Sequence, residues 1–319
     1  MVKRIRYIFI FFLFLPPLYG QQFPHYPTSC RFFSPAVFNP AVTGSIDYSR
    51  ITFITNVNGS HNARSLNGAS RLLKNRKKRW PATDAVPYSN FGVGGYAFHD
   101  QGDSLNNFGA AASFSYHIPI TQDGLSFLSV GLSGKGIYSK YIANTEHPDT
   151  AGNHKNVFTT DLDFGFYFYS AQFYAGISTT NILYNPKNSG FPSELKNTLS
   201  RQYLLTAGYK IILSRKRAIL LEPSLLMNFG KSPADKSSLH YHPALKLYYK
   251  NSYIGSYLNN LDNLSFFLHV QTPWFYVGSY VEFPWSGDII WYNGNLNLEL
   301  SVGIILGRKH TQVPVYKYW

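Results

Sequence analysis

The stretch NLNLELSVGIIL, residues 295–306, alternates apolar side chains with polar or small ones. Leucine, valine or isoleucine stands at every second position from Leu296 to Leu306, and asparagine, glutamate, serine and glycine stand between them as far as Gly303. Because successive side chains of a β-strand point to opposite faces, the pattern predicts a strand with one apolar and one polar face. Its length is close to the roughly ten residues that a tilted strand needs to cross an outer membrane.

The same alternation recurs along the rest of the chain. In NFGAAASFSYHI, residues 107–118, Phe108, Phe114 and Ile118 share the apolar face, and TDLDFGFYF, residues 160–168, repeats the pattern. An even number of strands fits a closed sheet, so we predict an all-β fold, a transmembrane antiparallel β-barrel of about fourteen strands. The candidate strands are 49–57, 65–73, 90–99, 107–118, 125–138, 160–169, 172–180, 202–212, 218–229, 240–249, 253–260, 264–271, 275–283 and 295–306.

The connections between the candidate strands alternate between short and long. The link 170–171 is one of the short ones, whereas 139–159 and 181–201 are among the long ones. Bacterial outer-membrane barrels have short turns on the periplasmic rim and longer loops on the outer rim, so the alternation supports a barrel. The exceptions are the short link 261–263 and a basic stretch at 71–81, which by parity belongs to the periplasmic rim.

The composition narrows the class of protein. Of the 319 residues, 14% are charged and 17% are aromatic, and this charged fraction is below the roughly 25% of a typical soluble domain. The low charge indicates a surface that does not wholly face water, and aromatic residues near strand ends fit the girdles of a membrane barrel. A soluble secreted β-sandwich would alternate in the same way and is the competing fold, but its strands are usually only about five or six residues long.

The first twenty residues read as a secretory signal peptide. Lys3, Arg4 and Arg6 form a positive start, an apolar run follows, and Gly20 provides a small residue for cleavage. A transmembrane anchor is the alternative, but the apolar run is shorter than the ~20 residues of a spanning helix. We therefore expect export to the outer membrane. The predicted regions are a signal peptide over 1–20, a proline-rich periplasmic segment over 21–48, the barrel over 49–306 and a C-terminal extension over 307–319.

Positive charge is concentrated in the stretch RLLKNRKKRWP, residues 71–81. The formal net charge of the chain is +13, and three of its cations belong to the signal peptide. An exported protein rarely meets nucleic acid, so we expect this stretch to contact a partner protein or anionic lipid headgroups, with a solvated loop as the alternative. The candidate contact residues are Arg71, Lys74, Arg76, Lys77, Lys78 and Arg79.

The sequence contains no catalytic or metal-binding constellation with a recognised spacing. Cys30 is the only cysteine and has no base near it, His240 and His242 lack a neighbouring carboxylate, and no G-x-S-x-G motif occurs. We therefore predict a protein that is not an enzyme and holds no cofactor or metal, with the two histidines at the barrel rim. The acidic residues expected to line a polar lumen, and the lysines expected to pair with some of them, are Asp161, Asp163, Glu222, Glu282, Glu299, Lys135, Lys210 and Lys246.

The segment FFSPAVFNPAVTGS, residues 32–45, lies between the signal peptide and the first strand. Pro35 and Pro40 fix φ and push the residues before them toward extended conformations, and Gly44 permits a turn into the strand. Because the segment begins on the periplasmic side, we predict that it folds back into the periplasmic mouth of the barrel as a stiff plug or docking strap. A turn into the first strand with no binding role is the alternative.

The order of export signal, Gln-Gln and F-x-P-x-x-x-N-P-A-x-x-G resembles the start of the PorP/SprF family of outer-membrane proteins. The matching residues are Phe33, Pro35, Asn39, Pro40, Ala41 and Gly44. Similar stretches follow in the family's order at 91–120, 164–183, 201–211 and 221–229. The chain departs from the family pattern at 30–31, at Ser34, in the basic segment 74–79 and in the extension 307–319.

The resemblance implies a barrel without catalytic activity that works with the type IX secretion machinery of Bacteroidetes, which is linked to gliding motility. Such a barrel would help a large secreted client, such as an adhesin, to be exported and held at the cell surface. Its partners would be outer-membrane lipid, that client and other type IX machinery. A passive outer-membrane channel or porin is the alternative function, because fourteen strands can enclose a polar lumen. A membrane-embedded hydrolase is the third hypothesis.

Overall fold

A computed structural model describes the barrel wall and the segment that precedes it. The described residues are 27–46, 48–57, 62–73, 88–102, 105–121, 126–142, 154–183, 201–231, 237–259, 263–284 and 296–307. The predicted signal peptide, the basic residues 74–79 and nearly all of the predicted C-terminal extension lie outside them. No helix within these ranges is long and apolar enough to cross a membrane.

Fifteen strands make up most of the regular structure in the described part of the chain. They are β1 (Ser49–Asn56), β2 (Asn62–Leu73), β3 (Tyr88–Gln101), β4 (Leu105–Pro119), β5 (Phe127–Ile142), β6 (His154–Tyr169), β7 (Phe173–Thr180), β8 (Gln202–Tyr209), β9 (Ile211–Ser214), β10 (Ile219–Lys231), β11 (Ser237–Tyr249), β12 (Ser252–Asn259), β13 (Asn263–Gln271), β14 (Phe275–Pro284) and β15 (Asn297–Leu306). Both β8 and β9 pair with β10 and are two halves of one strand, so the wall has fourteen strands.

Hydrogen bonding between the first and last strands closes the sheet. β1 pairs with β15 from Ser49 opposite Leu306 to Asn56 opposite Glu299, and β10 pairs with β11, so each strand of the wall has two antiparallel neighbours. A closed sheet leaves no unpaired edge, which is what backbone groups surrounded by lipid require. The prediction of an all-β barrel with about fourteen antiparallel strands is confirmed, and the competing β-sandwich is excluded.

The eighth strand of the wall differs from the continuous strand predicted over 202–212. The structure divides it into β8 and β9, and the pairing with β10 shifts between Ile219 and Leu220. At the division, the N–H of Lys210 donates to the carbonyl of Gln172 in a neighbouring turn, at 2.7 Å. The register with β10 is the same before and after Lys210, so the buried Lys210 keeps the lumenal face that the alternation of the strand predicts.

The two faces of the wall differ as the alternation predicts. In β15, Glu299 and Ser301 are each 1% exposed, whereas Leu300 and Val302 are 42% and 51% exposed. In β4, Phe114 is likewise exposed between buried serines. Exposed apolar side chains on neighbouring strands form a band on the outside of the wall, the side that faces lipid in membrane barrels, and the buried polar side chains line the lumen.

Short links lie at one rim of the barrel and longer connections at the other. Residues 170–172, 250–251 and 272–274 connect strands at the rim where β1 begins, which we call the short-turn rim, and the opposite one is the long-loop rim. β2 ends and β3 begins at the short-turn rim, so the connection with the basic residues 74–79 leaves from this rim. In barrels of this class the short-turn rim faces the periplasm.

Residues 27–46 lie inside the barrel, and we call them the plug segment. Its regular elements are the four-residue helix Cys30–Phe33 and two 3-10 turns, Pro35–Val37 and Pro40–Val42. Near its start it contacts Glu299, close to the long-loop end of β15, and near its end it contacts His117, close to the short-turn end of β4. We predicted a plug or docking strap in the periplasmic mouth; the structure places the segment inside the barrel and along the lumen, not only at that mouth, and its docking role stays a prediction.

Candidate functional site

A buried carboxylate holds the start of the plug segment, near the long-loop rim. The two carboxylate oxygens of Glu299 accept the backbone N–H groups of Thr28 and Ser29, each at 2.9 Å. These N–H groups stand at the start of the helix Cys30–Phe33, where backbone donors have no partner within the helix, so a carboxylate stabilises them. The alternation predicted a lumenal Glu299, but it did not indicate that the residue holds the plug segment.

Two phenylalanines anchor the plug segment against β12, β13 and β14. Phe32 stacks on Phe267 with 4.0 Å between ring centroids, and Tyr257 meets it edge-on at 5.2 Å. Phe33 is fully buried beside Gly278, where an added Cβ would lie 2.8 Å from its ring. Full burial of such a side chain contributes about 1.5–3 kcal/mol, more than the ~1 kcal/mol of a typical hydrogen bond.

Asn39 joins the plug segment to β6. Its Oδ1 accepts the N–H of Ala41 at 3.0 Å and caps the second 3-10 turn, and its Nδ2 donates to the carbonyl of Phe166 at 3.1 Å. The amide lies against Gly165 and Gly176, where an added Cβ would collide with it. Asparagine supplies a donor and an acceptor in one side chain, and the two glycines leave the space that it needs.

Serine hydroxyls of the wall satisfy carbonyl groups of the plug segment. The donations run from Ser178 to Phe38 O at 2.7 Å, from Ser129 to Ala41 O at 2.7 Å and from Ser115 to Thr43 O. The Thr43 carbonyl also lies 2.9 Å from Nε2 of His117. A buried carbonyl without a donor costs about 1–3 kcal/mol, so these hydroxyls make burial of an irregular segment possible.

Glycines allow the closest approaches between the plug segment and the wall. A Cβ added to Gly131 of β5 would lie 2.5 Å from the Cα of Ala41. Gly44 has a φ of +70°, and a Cβ there would lie 2.7 Å from the Cα of Gly92 in β3. Glycine is thus required at position 44 both by the backbone conformation and by the lack of space.

The plug segment brings the six motif residues together in the lumen. Those not yet placed are Pro35 and Pro40, which begin the two 3-10 turns. Sequence reasoning found the motif but missed its wall partners, the serines and glycines described above. Their signal is an excess of small residues on the polar faces of β4 to β7, which the alternation shows without indicating what fills the space.

Replacing Asn39 with alanine is expected to loosen the plug segment without unfolding the barrel. The variant removes the side-chain donor to the Phe166 carbonyl and leaves the buried Ala41 N–H without its acceptor, at a cost of about 1–3 kcal/mol, so amide exchange over 39–44 should accelerate by about 10- to 100-fold. Hydrogen exchange followed by mass spectrometry measures this. Asn56→Ala is the control, because it removes a side-chain hydrogen bond to Asn297 at the long-loop rim. It should leave amide exchange over 39–44 unchanged. Equal exchange in Asn39→Ala and the native chain would contradict the role of Asn39.

Cys30 provides a built-in reporter of the plug segment. Its thiol is fully buried with Sγ 3.3 Å from the hydroxyl of Ser65, and burial raises the pKa of the thiol from 9.0 to about 12. A buried thiol with a raised pKa holds little thiolate at pH 8, so maleimide labelling of the folded barrel should be slower than that of urea-unfolded protein by about 100-fold or more. Rapid labelling of the folded protein would show that Cys30 does not occupy this position.

Two of the predicted lysine–carboxylate pairs form in the lumen. Nζ of Lys135 lies 2.6 Å from Asp163 Oδ1, and Nζ of Lys246 lies 2.9 Å from Glu222 Oε1. All four side chains are largely shielded from solvent. An unpaired charge at such a buried position would be strongly destabilising, and each pair avoids this cost. Lys210 lies on the same side of the lumen as Glu222 and Lys246.

Arg71, the first residue of the predicted basic contact stretch, lies inside the barrel. Its side chain is 3% exposed, its guanidinium carbon is 4.5 Å from the centroid of the Phe127 ring, and Nη1 donates to the hydroxyl of Tyr169 at 3.3 Å. Membership of the basic stretch suggested a surface position, but the side chain falls on the lumenal face of β2. Lys74, Arg76, Lys77, Lys78 and Arg79 lie outside the described residues, and their contact with a partner or lipid stays a prediction.

The histidines predicted at the rim are buried in the lumen. His240 and His242 are each 2% exposed, and the ring of His242 stacks with Tyr257 at 5.8 Å. In the part of the chain that the structure describes, no three or more His, Cys, Asp or Glu side chains are grouped so as to hold a metal ion.

A cavity of about 240 Å³ remains between the plug segment and the wall from β6 to β13, and Arg50 at the start of β1 also lines it. Its lining includes Ser170, Asn251 and Gln271 at the short-turn rim, and Leu204 and Tyr257 deeper in the lumen. The deeper pair belongs to the buried hydrophobic cluster that also contains residues of the plug segment. The cavity therefore opens toward the short-turn rim and ends against this cluster.

A profile of the family described as "Type IX secretion system membrane protein PorP/SprF" matches residues 21–304. Similar solved structures include BamA from Haemophilus ducreyi lacking POTRA domains 1–3, at 10% identity over 82% of this chain and 71% of that chain with a TM-score of 0.40. A Pseudomonas aeruginosa FadL homologue is 10% identical over 91% of this chain and 96% of that chain, with a TM-score of 0.39. Escherichia coli outer membrane phospholipase A is 10% identical over 82% of this chain and 92% of that chain, with a TM-score of 0.33. No curated protein matches. Because the profile spans most of the sequence, the chain belongs to the PorP/SprF family of type IX secretion system membrane proteins.

Proposed function

We propose that this protein is a non-enzymatic outer-membrane barrel that assists type IX secretion and holds a large secreted client, such as an adhesin, at the cell surface. Its family supplies the link to the secretion system. The mature chain would follow cleavage near Gly20, in a bacterium of the Bacteroidetes whose type IX clients serve surface adhesion and gliding motility.

The plug segment is the observation that carries this proposal. It is held near both ends and in the middle, by Glu299, by the rings around Phe32 and by the wall serines that bond Phe38 to Thr43. A lumen occupied in this way favours a barrel that acts as an anchor or docking station over one that serves as an open passage. A passive channel is the alternative, and the cavity beside the plug segment is the feature that favours it.

The two rims would serve different partners. The connections between β5 and β6 and between β7 and β8 leave from the long-loop rim, which faces outward in this class of barrel, so the client is proposed to bind there. The short-turn rim, with the basic residues 74–79 attached, is proposed to face other type IX machinery and the headgroups of the inner leaflet. The apolar outer band would contact outer-membrane lipid.

Purification of the tagged chain from its native outer membrane tests the proposal. A large secreted protein should co-purify, and deletion of the gene should remove that protein from the cell surface, with recovery when the native chain is restored. If every surface-exposed protein stays in place after the deletion, the secretion role is wrong. A lipase and protease assay on the purified chain tests the non-enzymatic part separately.

A further inference from the structure

The cavity beside the plug segment carries an excess of positive charge. Arg31, Arg50, Lys210 and Lys246 line it, against the single carboxylate of Glu222. The lining therefore holds four cationic groups and one carboxylate, a formal excess of positive charge, and the carboxylate of Glu222 lies 2.9 Å from Nζ of Lys246. A cleft with one sign of charge and low-dielectric walls concentrates its field at the opening and attracts ligands of the opposite charge.

Two of these cations stand near the opening. Arg50 is the second residue of β1, at the short-turn rim, and its guanidinium carbon lies 5.7 Å from the centroid of the Tyr276 ring. Within the described ranges, Arg50 forms no ion pair. Lys210 follows directly after β8 and reaches the cavity from the lumenal face of this strand, beside the turn that contains Gln172. A ligand arriving from the periplasmic side meets both charges first.

Apolar side chains line the part of the cavity that lies against the hydrophobic cluster, which we call the inner part. Phe32, Phe38, Leu204 and Leu226 line it and belong to the hydrophobic cluster or pack against it. Seven tyrosines line the cavity as well, and each offers an apolar ring together with a hydroxyl group. The volume of about 240 Å³ is below the roughly 300–1,000 Å³ of sites for drug-sized ligands, so it suits one or two side chains of a peptide and not a folded domain.

The turns around the opening strengthen this charge pattern. The described turns 170–172, 215–218, 250–251 and 272–274 contain four cations and no carboxylate. Arg215, Lys216 and Arg217 are exposed on one of them, and Lys250 is exposed on another. An acidic ligand would therefore be attracted to the rim before it enters the cavity.

We propose that this cavity binds an acidic peptide segment of a periplasmic protein. An apolar side chain of the segment occupies the inner part, and one or two neighbouring carboxylates pair with Arg50 and Lys210. The binding surface lies inside the wall, away from the outer band that contacts lipid, which is why a peptide and not a headgroup is its ligand. This inference deepens the proposed function, on which it rests for the orientation of the barrel in the membrane.

The test uses the full chain in nanodiscs of zwitterionic lipid and fluorescent pentapeptides that are acetylated and amidated at their ends. The acidic probe has one phenylalanine followed by two glutamates between glycines; one comparison probe has lysines for the glutamates, and the other has glycine for the phenylalanine. Only the acidic aromatic probe should bind saturably with a dissociation constant below about 1 mM, which corresponds to a few kcal/mol. Equal binding of the lysine probe, or no binding of the acidic probe, overturns the proposal.

Charge variants locate the site. Arg50→Gln and Lys210→Gln should each weaken binding of the acidic probe by about tenfold, whereas Lys216→Gln, which removes a cation from an exposed turn, should change it by less than about twofold. A heat-dependent shift in gel mobility checks that each variant still forms a barrel. If Lys216→Gln weakens binding as much as the other two, the rim and not the cavity attracts the peptide, and the assignment is wrong.

A second pair of variants tests the inner part. Thr206→Trp fills the cavity from β8, whereas Leu205→Trp places the same ring on the lipid-facing side of the same strand. Thr206→Trp should abolish binding and Leu205→Trp should preserve it; binding that survives Thr206→Trp contradicts the proposal. If these tests fail, the proposed role in client export still stands or falls on its own experiments, because co-purification and surface display are measured without the peptide.

Discussion

Deletion of residues 28–45 is expected to turn a closed barrel into a conducting pore. These residues fill the lumen from Glu299 near the long-loop rim to His117 near the short-turn rim. A barrel of fourteen strands is wider than the eight-stranded ones whose own side chains fill the interior, so removal of the segment leaves a continuous aqueous path. In planar bilayers the native chain should give little steady current, and the deletion variant should raise the conductance by about tenfold or more.

A point variant displaces the plug segment without removing it. Gly131→Leu places a side chain where even a Cβ would lie 2.5 Å from the Cα of Ala41, so the segment must move away from β5. Gly134→Leu is the matched control, because it lies on the same strand and faces outward, where the nearest atom to an added Cβ is the Leu162 side chain at 3.8 Å. The first variant should raise both the conductance and the labelling rate of Cys30; the control should change neither.

Two results would contradict this account. Steady conductance of the native chain equal to that of the deletion variant would mean that the plug segment does not close the lumen, and the passive channel would become the better function. A deletion variant that assembles as a barrel but stays silent would mean that wall side chains alone close it. If the deletion prevents assembly, Gly131→Leu still decides, since it retains every hydrogen-bonding group of the segment.

The strands and their orientation could be predicted because each depends on local alternation. A single apolar face has to meet lipid, so a shift of register by one residue would place Leu300 in the lumen and Glu299 in the membrane. This cost fixes the register of β15 strongly, and the same reasoning placed Asp163 and Glu222 in the lumen. The pairing of these carboxylates with Lys135 and Lys246 followed from the faces together with the cost of burying an isolated charge.

The contacts within the lumen could not be predicted because they join residues far apart in sequence. Glu299 lies 270 positions from Ser29, and no periodicity links the two. The depth of the plug segment depends on such contacts, whereas its prolines and Gly44 indicate only that it is stiff and turns. The interruption at Lys210 has the same origin, since a neighbouring turn accepts its backbone N–H. For Arg71, the composition of the surrounding stretch was a poorer guide than the alternation of β2.

Replacing Glu222 with leucine is expected to cause the largest loss of stability among single variants of the lumen. Glu222 is 2% exposed and accepts hydrogen bonds from Lys246 and from the hydroxyls of Tyr174 and Tyr248, all at 2.9 Å. Removal of one partner of a buried ion pair leaves the other charge uncompensated and costs about 3–5 kcal/mol. Here Lys246 loses its carboxylate, and Lys210 on the same cavity wall increases the local repulsion. Urea unfolding in detergent micelles measures the loss.

The double variant Glu222→Leu with Lys246→Met separates the ion pair from the size of the side chain. A buried pair exchanged for apolar residues of similar volume is often close to neutral, so the double variant should recover most of the stability that the single variant loses. The two tyrosine hydroxyls still lack their acceptor in both variants, which leaves a residual cost of about 1–3 kcal/mol. If the double variant is no more stable than Glu222→Leu, the tyrosine hydrogen bonds, and not the charge of Lys246, determine the contribution of Glu222. If Glu222→Leu lowers the free energy of unfolding by less than about 1 kcal/mol, water solvates the charges of the lysines. The lumen around the cavity is then more hydrated than the burial of Glu222 indicates.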